Sequence, residues 1–178
     1  MATTVYTPVE EYLRTSYRPD RDYLEGELEE RNVGEQWHGL IEKVIAAVFF
    51  NNRKTWKLRS INEQRVQVTP TRFRVPDVCV VSSETPIEPI LLAPPILCVE
   101  VLSPEDRFSR ITERVQDYTD MGVPHVWIID SVTRKIWIAN GNERPVPLQG
   151  DALTLPGTLV RIPVAEIFAE IDEAPPAL

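Results

Sequence analysis

Apolar side chains recur at Trp37, Leu40, Ile41, Val44, Ile45 and Val48, a helical spacing that predicts an amphipathic helix over residues 35–50 with one face on a sheet. Ahead of it, Thr7, Pro8 and Glu10 read as a cap, a first-position proline and an early acid, which predicts a short helix over residues 9–14. Residues 17–22 break that helix. Residues 22–31, with Leu24 and Leu28 on either side of Gly26, then read as an extended arm or a hairpin. From Trp56 onward the period shortens, and strands are predicted over INEQRVQV (61–68), VPDVCVVS (75–82) and ILCVEVL (96–102). The proline-rich residues 82–95 between the last two read as a connection. A helix is predicted over residues 103–121, strands over HVWIID (125–130) and KIWIAN (135–140) around a turn at Asp130, a strand near LVRIPV and a short helix near AEIFAE. A helix lying between two strands acts as a crossover, so the order predicts a mixed α/β (α+β) sheet with helices on its faces. The expected organisation is a single domain over residues 1–171 with a frayed tail over 172–178.

Composition changes this picture little. A chain of 178 residues with 43% hydrophobic content can bury one ordinary core. No run approaches the ~18 apolar residues of a membrane span, and the first residues lack both the basic opening and the apolar core of a signal peptide. A cytoplasmic protein without a membrane partner is expected. Cys79 and Cys98 lie in apolar strands without ligand spacing and read as buried free thiols. The net charge of -8 argues against a broad nucleic-acid-coating surface, but leaves room for a local basic groove or a carboxylate-rich metal site. No glycine-rich phosphate loop, GxSxG elbow or zinc spacing occurs.

The candidate chemistry begins at Glu100. With a period of two it shares a strand face with Ile96, Cys98 and Leu102, and a buried carboxylate there needs a basic partner, a hydrogen-bond network or a metal. Asp77 follows Pro76 at the start of the preceding strand, and would meet Glu100 if the two strands pair. Two converging carboxylates share a cation or a proton, and oxygen ligands of this kind suit magnesium or manganese. Taken alone, Pro-Asp is more often a turn or a cap than a ligand. Ser103-Pro104-Glu105-Asp106 reads as a capping box opening the next helix, whose core stripe is Phe108, Ile111, Val115 and Tyr118. Arg107, Arg110 and Arg114 lie beside that stripe and either face the sheet end or form a solvated face. His38 borders the apolar face of the first long helix, where a structural role is the ordinary one. His125 reads as a strand-edge residue.

The succession VPDVCVV, PPILCVEVLSPEDR and ITERVQDYTDMGVPHVWIID resembles the Uma-type restriction endonuclease family, bacterial proteins with the PD-(D/E)XK nuclease fold. Upstream, the resemblance continues more weakly through DYLEGELEE and the helix carrying His38, so it covers most of the chain. It implies a restriction-endonuclease-like central mixed sheet flanked by helices. It also implies that Asp77 and Glu100 hold Mg2+ or Mn2+ and that the protein hydrolyses phosphodiester bonds, with DNA as the leading substrate. The family's basic residue lies on the following helix, four residues before the Tyr. That position is Arg114 here, where Lys is commoner, and Leu102 stands two residues after the Glu. A guanidinium keeps its proton, so Arg114 is assigned to stabilising developing negative charge rather than to base chemistry. Glu27 and His38 match polar positions that the family places near the site and are second-tier candidates. Analogy with nucleases that act as symmetric pairs implies a homodimer. The alternative is a non-catalytic nucleic-acid-binding or assembly protein that retains the nuclease fold, and a phosphodiesterase for small nucleotides is a third reading.

Overall fold

The computed structural model describes residues 6–31, 36–104, 106 and 108–174. Helix α1 (Val9–Arg14) forms where expected, but its cap is Pro8 and no side chain caps it. Thr7, expected to be the cap, is buried instead. Its N–H donates to the Gly26 carbonyl and its own carbonyl accepts from the Tyr23 hydroxyl, which ties the N-terminal segment to the following hairpin. That hairpin pairs β1 (Asp22–Leu24) with β2 (Glu27–Glu29) through a two-residue turn. Glu25 and Gly26 both have positive φ, 47° and 103°, as a tight hairpin turn of matching twist requires. A Cβ at Gly26 would lie 2.2 Å from the Tyr6 ring, so the position also needs glycine for space.

Helix α2 (Gln36–Trp56) runs six residues past its expected end. Its apolar face continues, with Trp56 packing edge-on to Phe49 at a centroid distance of 5.4 Å, and Arg53 and Lys54 complement the last turn. The expected strand at 61–68 is instead two, β3 (Leu58–Asn62) and β4 (Val66–Thr69). Glu63 separates them with a φ of 49°, and the two pieces join different sheets. The strand β5 (Arg72–Arg74) was hidden by its charge, because two of its three residues are arginines.

Strands β6 (Val78–Ser82), β7 (Leu97–Leu102), β8 (His125–Asp130) and β9 (Ile136–Asn140) fall where the pattern placed them. A short β10 (Val146–Pro147) completes a six-stranded sheet of order β10-β9-β8-β7-β6-β3. Only β7 and β8 run parallel, joined by helix α3 (Phe108–Met121); the other neighbours are antiparallel, so the sheet is mixed as expected. A second sheet has the order β2-β1-β5-β4, and β11 (Ala152–Thr154) pairs with β12 (Arg161–Pro163) ahead of α4 (Val164–Asp172). The final helix therefore extends to Asp172, the first residue of the expected tail, where an ion pair of 2.6 Å links Asp172 to Arg134.

Helix α3 starts later than Ser103-Pro104 suggested. Asp106 Oδ2 accepts the Ser103 N–H at 2.7 Å and the Asp106 N–H donates to the Ser103 carbonyl, which is one half of the expected box. The other half is missing, because the buried Ser103 hydroxyl has no hydrogen-bond partner among the described residues. The expectations for Glu105, Arg107 and the Phe108 side chain, for the helix start at residue 35, and for tail residues 175–178 lie outside the described residues.

Period two sorts β7 between two cores. Leu97, Val99 and Val101 face α2 and α4 with Ile41, Ile45, Phe49 and Trp127. On the opposite face Cys98 lies with Cys79, Val126 and Ile128 against Ile111, Val115 and Tyr118 of α3. Both cysteines are free and buried. Among the described residues, no helix is long and apolar enough to cross a membrane.

Candidate functional site

The register of β6 on β7 decides where the two acids meet. Val78 pairs with Val99 and Cys79 with Cys98 in antiparallel sense, so one step further Asp77 stands opposite Glu100 at the end of the ladder. Asp77 and Glu100 are 2% and 1% exposed, and both line a cavity of about 20 Å3, room for one water or one ion. Arg31, His38, Val101, Ser103, Asp106 and Arg114 complete its wall.

Each carboxylate has its own set of partners. Glu100 Oε2 accepts from Arg114 Nη1 at 2.8 Å and Oε1 accepts from the Tyr118 hydroxyl at 2.5 Å. Arg114 and Tyr118 are four residues apart on α3, so both project from one helix face onto the strand. Arg114 also reaches Asp22 on β1 with Nη2, at 3.2 Å, and its guanidinium bridges the two sheets. Asp22 is itself held by Arg74 of β5 at 2.9 Å. Asp77 Oδ1 accepts a short hydrogen bond from Arg31, while Oδ2 accepts the Val101 N–H at 2.7 Å and lies 3.3 Å from His38 Nε2. His38 reaches it from the first turn of α2.

These surroundings push the two carboxyls apart. Burial raises Asp77, but the His38 hydrogen bond, the Arg31 guanidinium and the Val101 N–H outweigh it and hold the group below the usual carboxylate range. Burial also raises Glu100; Arg114 offsets part of this, the neighbouring Asp77 charge adds to it, and the group stays above its ordinary value. Burial lowers His38, yet Asp77 and Glu42 more than compensate, and the imidazole is raised. Glu42, four residues after His38 on α2, is pushed up to about 7 by burial and by the Asp77 charge.

The structure thus brings together Asp77, Glu100, Arg114 and His38. Glu27 stands apart: it is exposed on β2 and lines an open groove of about 460 Å3 with Leu24, Glu30 and Arg110. Arg110, expected near the sheet end, is half-exposed and pairs with Glu29 at 3.3 Å. His125 contacts Asn140 on the neighbouring strand. Five residues escaped the sequence reading: Asp22, Arg31, Glu42, Arg74 and Tyr118 in its polar role. Glu42 had a usable signal, its i,i+4 spacing from His38, and Tyr118 had the same spacing from Arg114. Asp22, Arg31 and Arg74 carried none, because their partners come from distant segments.

Two observations test whether a divalent cation fits. Ligand atoms of His38, Glu42 and Asp77 lie within 4.8 Å of one another, and Glu42 Oε1 is buried without a hydrogen-bond partner. The repulsion that raises Glu100 is of the kind a cation between two carboxylates relieves. The donor set fits a divalent ion.

Comparison with known proteins agrees with this architecture. No curated protein sequence matches the chain. A solved structure from Anabaena variabilis, described as a putative nuclease belonging to DUF820, is similar with a TM-score of 0.79 over 94% of this chain and 98% of that one, at 19% identity. At that identity the likeness speaks for the fold. The sequence itself matches one family model over residues 9–165, from α1 through both sheets to the start of α4. On that match, which takes in both acids and Arg114, the chain belongs to the Uma2 family, described as putative restriction endonucleases.

Proposed function

We propose that this member of a nuclease family is a magnesium-dependent endonuclease that hydrolyses phosphodiester bonds of DNA at the Asp77–Glu100 centre. The observation that carries the reading is the register that sets Asp77 opposite Glu100 with Arg114 on the second acid. Asp77 and Glu100 are the residues that would hold the ion, in the manner of the PD-(D/E)XK fold. A divalent cation supplies Lewis-acid polarisation and charge neutralisation to such a reaction. The chain's own residues do the rest. Arg114 remains a fixed positive charge, clamped between Glu100 and Asp22, and offsets negative charge on the phosphate without accepting a proton. Tyr118 orients Glu100 through its hydroxyl, and the Val101 N–H orients Asp77. His38 lies beside Asp77, which raises the imidazole above its ordinary value and favours its charged form there. A symmetric homodimer acting on both strands belongs to the same proposal.

The test is cleavage of long DNA, long RNA and short oligonucleotides with Mg2+ or Mn2+. Metal-dependent cutting of DNA that Glu100→Ala abolishes is the expected result. No cutting of any substrate, or equal cutting by the variant, sinks the proposal. A second reading has a specific observation behind it: in this structure both acids are already matched by arginines, Asp77 by Arg31 and Glu100 by Arg114. That arrangement also suits a non-catalytic nucleic-acid-binding or assembly protein with the nuclease fold. Calorimetric titration with Mg2+ separates the two, since binding lost in Asp77→Ala supports the nuclease and absence of binding supports the alternative.

A further inference from the structure

We propose that His38, Glu42 and Asp77 form a three-ligand site for a divalent transition-metal ion of the manganese class, sharing Asp77 with the Asp77–Glu100 pair. Four observations carry the assignment. The first is proximity, since one ligand atom from each residue lies within 4.8 Å of the others. A second is the spacing of His38 and Glu42, four apart on α2, which places both on the helix face that meets Asp77. The third is an unmet need. Glu42 Oε1 is buried and receives no hydrogen bond among the described residues, and His38 Nδ1 stands 3.9 Å from the other oxygen, beyond hydrogen-bond reach. A buried carboxylate oxygen without a donor is costly, and a bound cation would supply the partner that no described residue gives it. The fourth is the contrast with the neighbouring acids, since both oxygens of Glu100 have close donors in Arg114 and Tyr118 and both oxygens of Asp77 have them in Arg31 and the Val101 N–H, which leaves Glu42 as the acid whose need is unmet.

The donor set selects the ion. One imidazole nitrogen and two carboxylate oxygens favour a first-row transition ion, whereas Mg2+ prefers an all-oxygen shell and releases its waters reluctantly. The inference deepens the nuclease reading and rests on it only in sharing Asp77, so metal binding and cleavage are measured separately.

The experiment is calorimetric titration of the purified full chain with MnCl2 and with MgCl2, for wild type, His38→Gln, Glu42→Gln and Glu100→Gln. The Mn2+-dependent rise in thermal unfolding midpoint is read within each variant. Wild type is expected to bind Mn2+ at least about tenfold more tightly than Mg2+, and His38→Gln and Glu42→Gln each to weaken Mn2+ by about tenfold or more. Glu100→Gln should shift Mn2+ affinity by less than about threefold, because Glu100 lies outside the ligand set. Absence of Mn2+ binding, absence of preference over Mg2+, or Mn2+ binding lost in Glu100→Gln and kept in the His38 and Glu42 variants overturns the site. Comparing two variants on opposite ligands guards against misfolding of either one, and a midpoint that rises with Mn2+ as much in both as in wild type also overturns it. Mn2+ binding with the expected variant pattern but no cleavage of nucleic acid supports the site while overturning the nuclease reading.

Discussion

Arg114 uses two different nitrogens for two buried acids, Nη1 for Glu100 at 2.8 Å and Nη2 for Asp22 at 3.2 Å. A lysine ammonium is a single point and cannot span both with the same geometry. Arg114→Lys is therefore expected to lose about 1–3 kcal/mol in a urea unfolding series, the cost of leaving one buried acid under-matched. Unchanged stability would show that the two-acid clamp contributes nothing. Glu42 makes a pH-dependent prediction. Its ordinary value is 4.5 and the folded protein raises it to about 7. Below about pH 4.5 the group is protonated in both states. Between there and about pH 7 the folded state keeps a proton that the unfolded state has released, so the contribution to stability falls as pH rises and is fully lost above the folded value. In metal-free protein Glu42→Gln is thus expected to gain about 1–3 kcal/mol over wild type at pH 8 and much less at pH 5, read as the difference in unfolding midpoint. An equal gain at both pH values would remove burial of the charged form as the cause.

At the scale of elements, α2 does two jobs that its sequence kept separate. Its apolar face packs Ile41, Ile45 and Phe49 on the large sheet, and its first turns carry His38 and Glu42 to the end of β6. Gly39 lies between those two polar residues, exposed, with nothing within 4 Å of a Cβ built on it. Gly39→Ala should stabilise the helix by about 0.5–1 kcal/mol through reduced freedom of the unfolded chain, measured as a raised denaturation midpoint. A loss of stability there would mean that the residue needs to be small for a reason other than packing. Helix α3 divides its faces in the same way: Ile111 and Val115 fill the core, while Arg114 and Tyr118 reach Glu100. The strands tell the opposite story. β3 and β4 read as one alternating run because period two is blind to a turn, and the positive φ at Glu63 is carried by a residue type that does not advertise it. β5 escaped because Arg72 and Arg74 put charge on one face and only Phe73 stands on the other, Arg74 being buried only through Asp22, Glu29 and Asp117.

Across the whole molecule, electrostatics are mostly internal. Net charge is -8, and many of the 19 Lys and Arg side chains, among them Arg31, Arg65, Arg72, Arg74 and Arg114, are held in ion pairs. Those paired side chains are not free to track a phosphate backbone, and the acidic net charge opposes it. Association with DNA is therefore expected to depend weakly on salt, with a slope of log affinity against log salt shallower than about −3. A steep slope in a fluorescence titration would reveal a basic surface that these pairings do not leave free. The buried acids Asp22, Asp77 and Glu100 are matched by Arg31, Arg74 and Arg114, and the four-stranded sheet, α3 and the central sheet are joined through this network. Removing one member leaves its partner charged and buried, so the network couples the site to the stability of the fold.

The sequence by itself determined the helices, the four strands β6 to β9, the face on which Glu100 lies and the family, because these depend on periodicity and on motifs within a few residues of one another. It marked Asp77, Glu100, Arg114 and His38 for the same reason, each sitting beside a legible element. Tertiary structure alone decided the rest. The register that opposes Asp77 to Glu100, the removal of Glu27 to the surface, the seat of Arg31 on Asp77 and the meeting of Glu42 with both His38 and Asp77 depend on the packing of segments distant in sequence, 46 residues apart for Arg31 and Asp77. A buried charge is identified by its partner, and the partner is set by how sheets and helices pack, which no local pattern encodes.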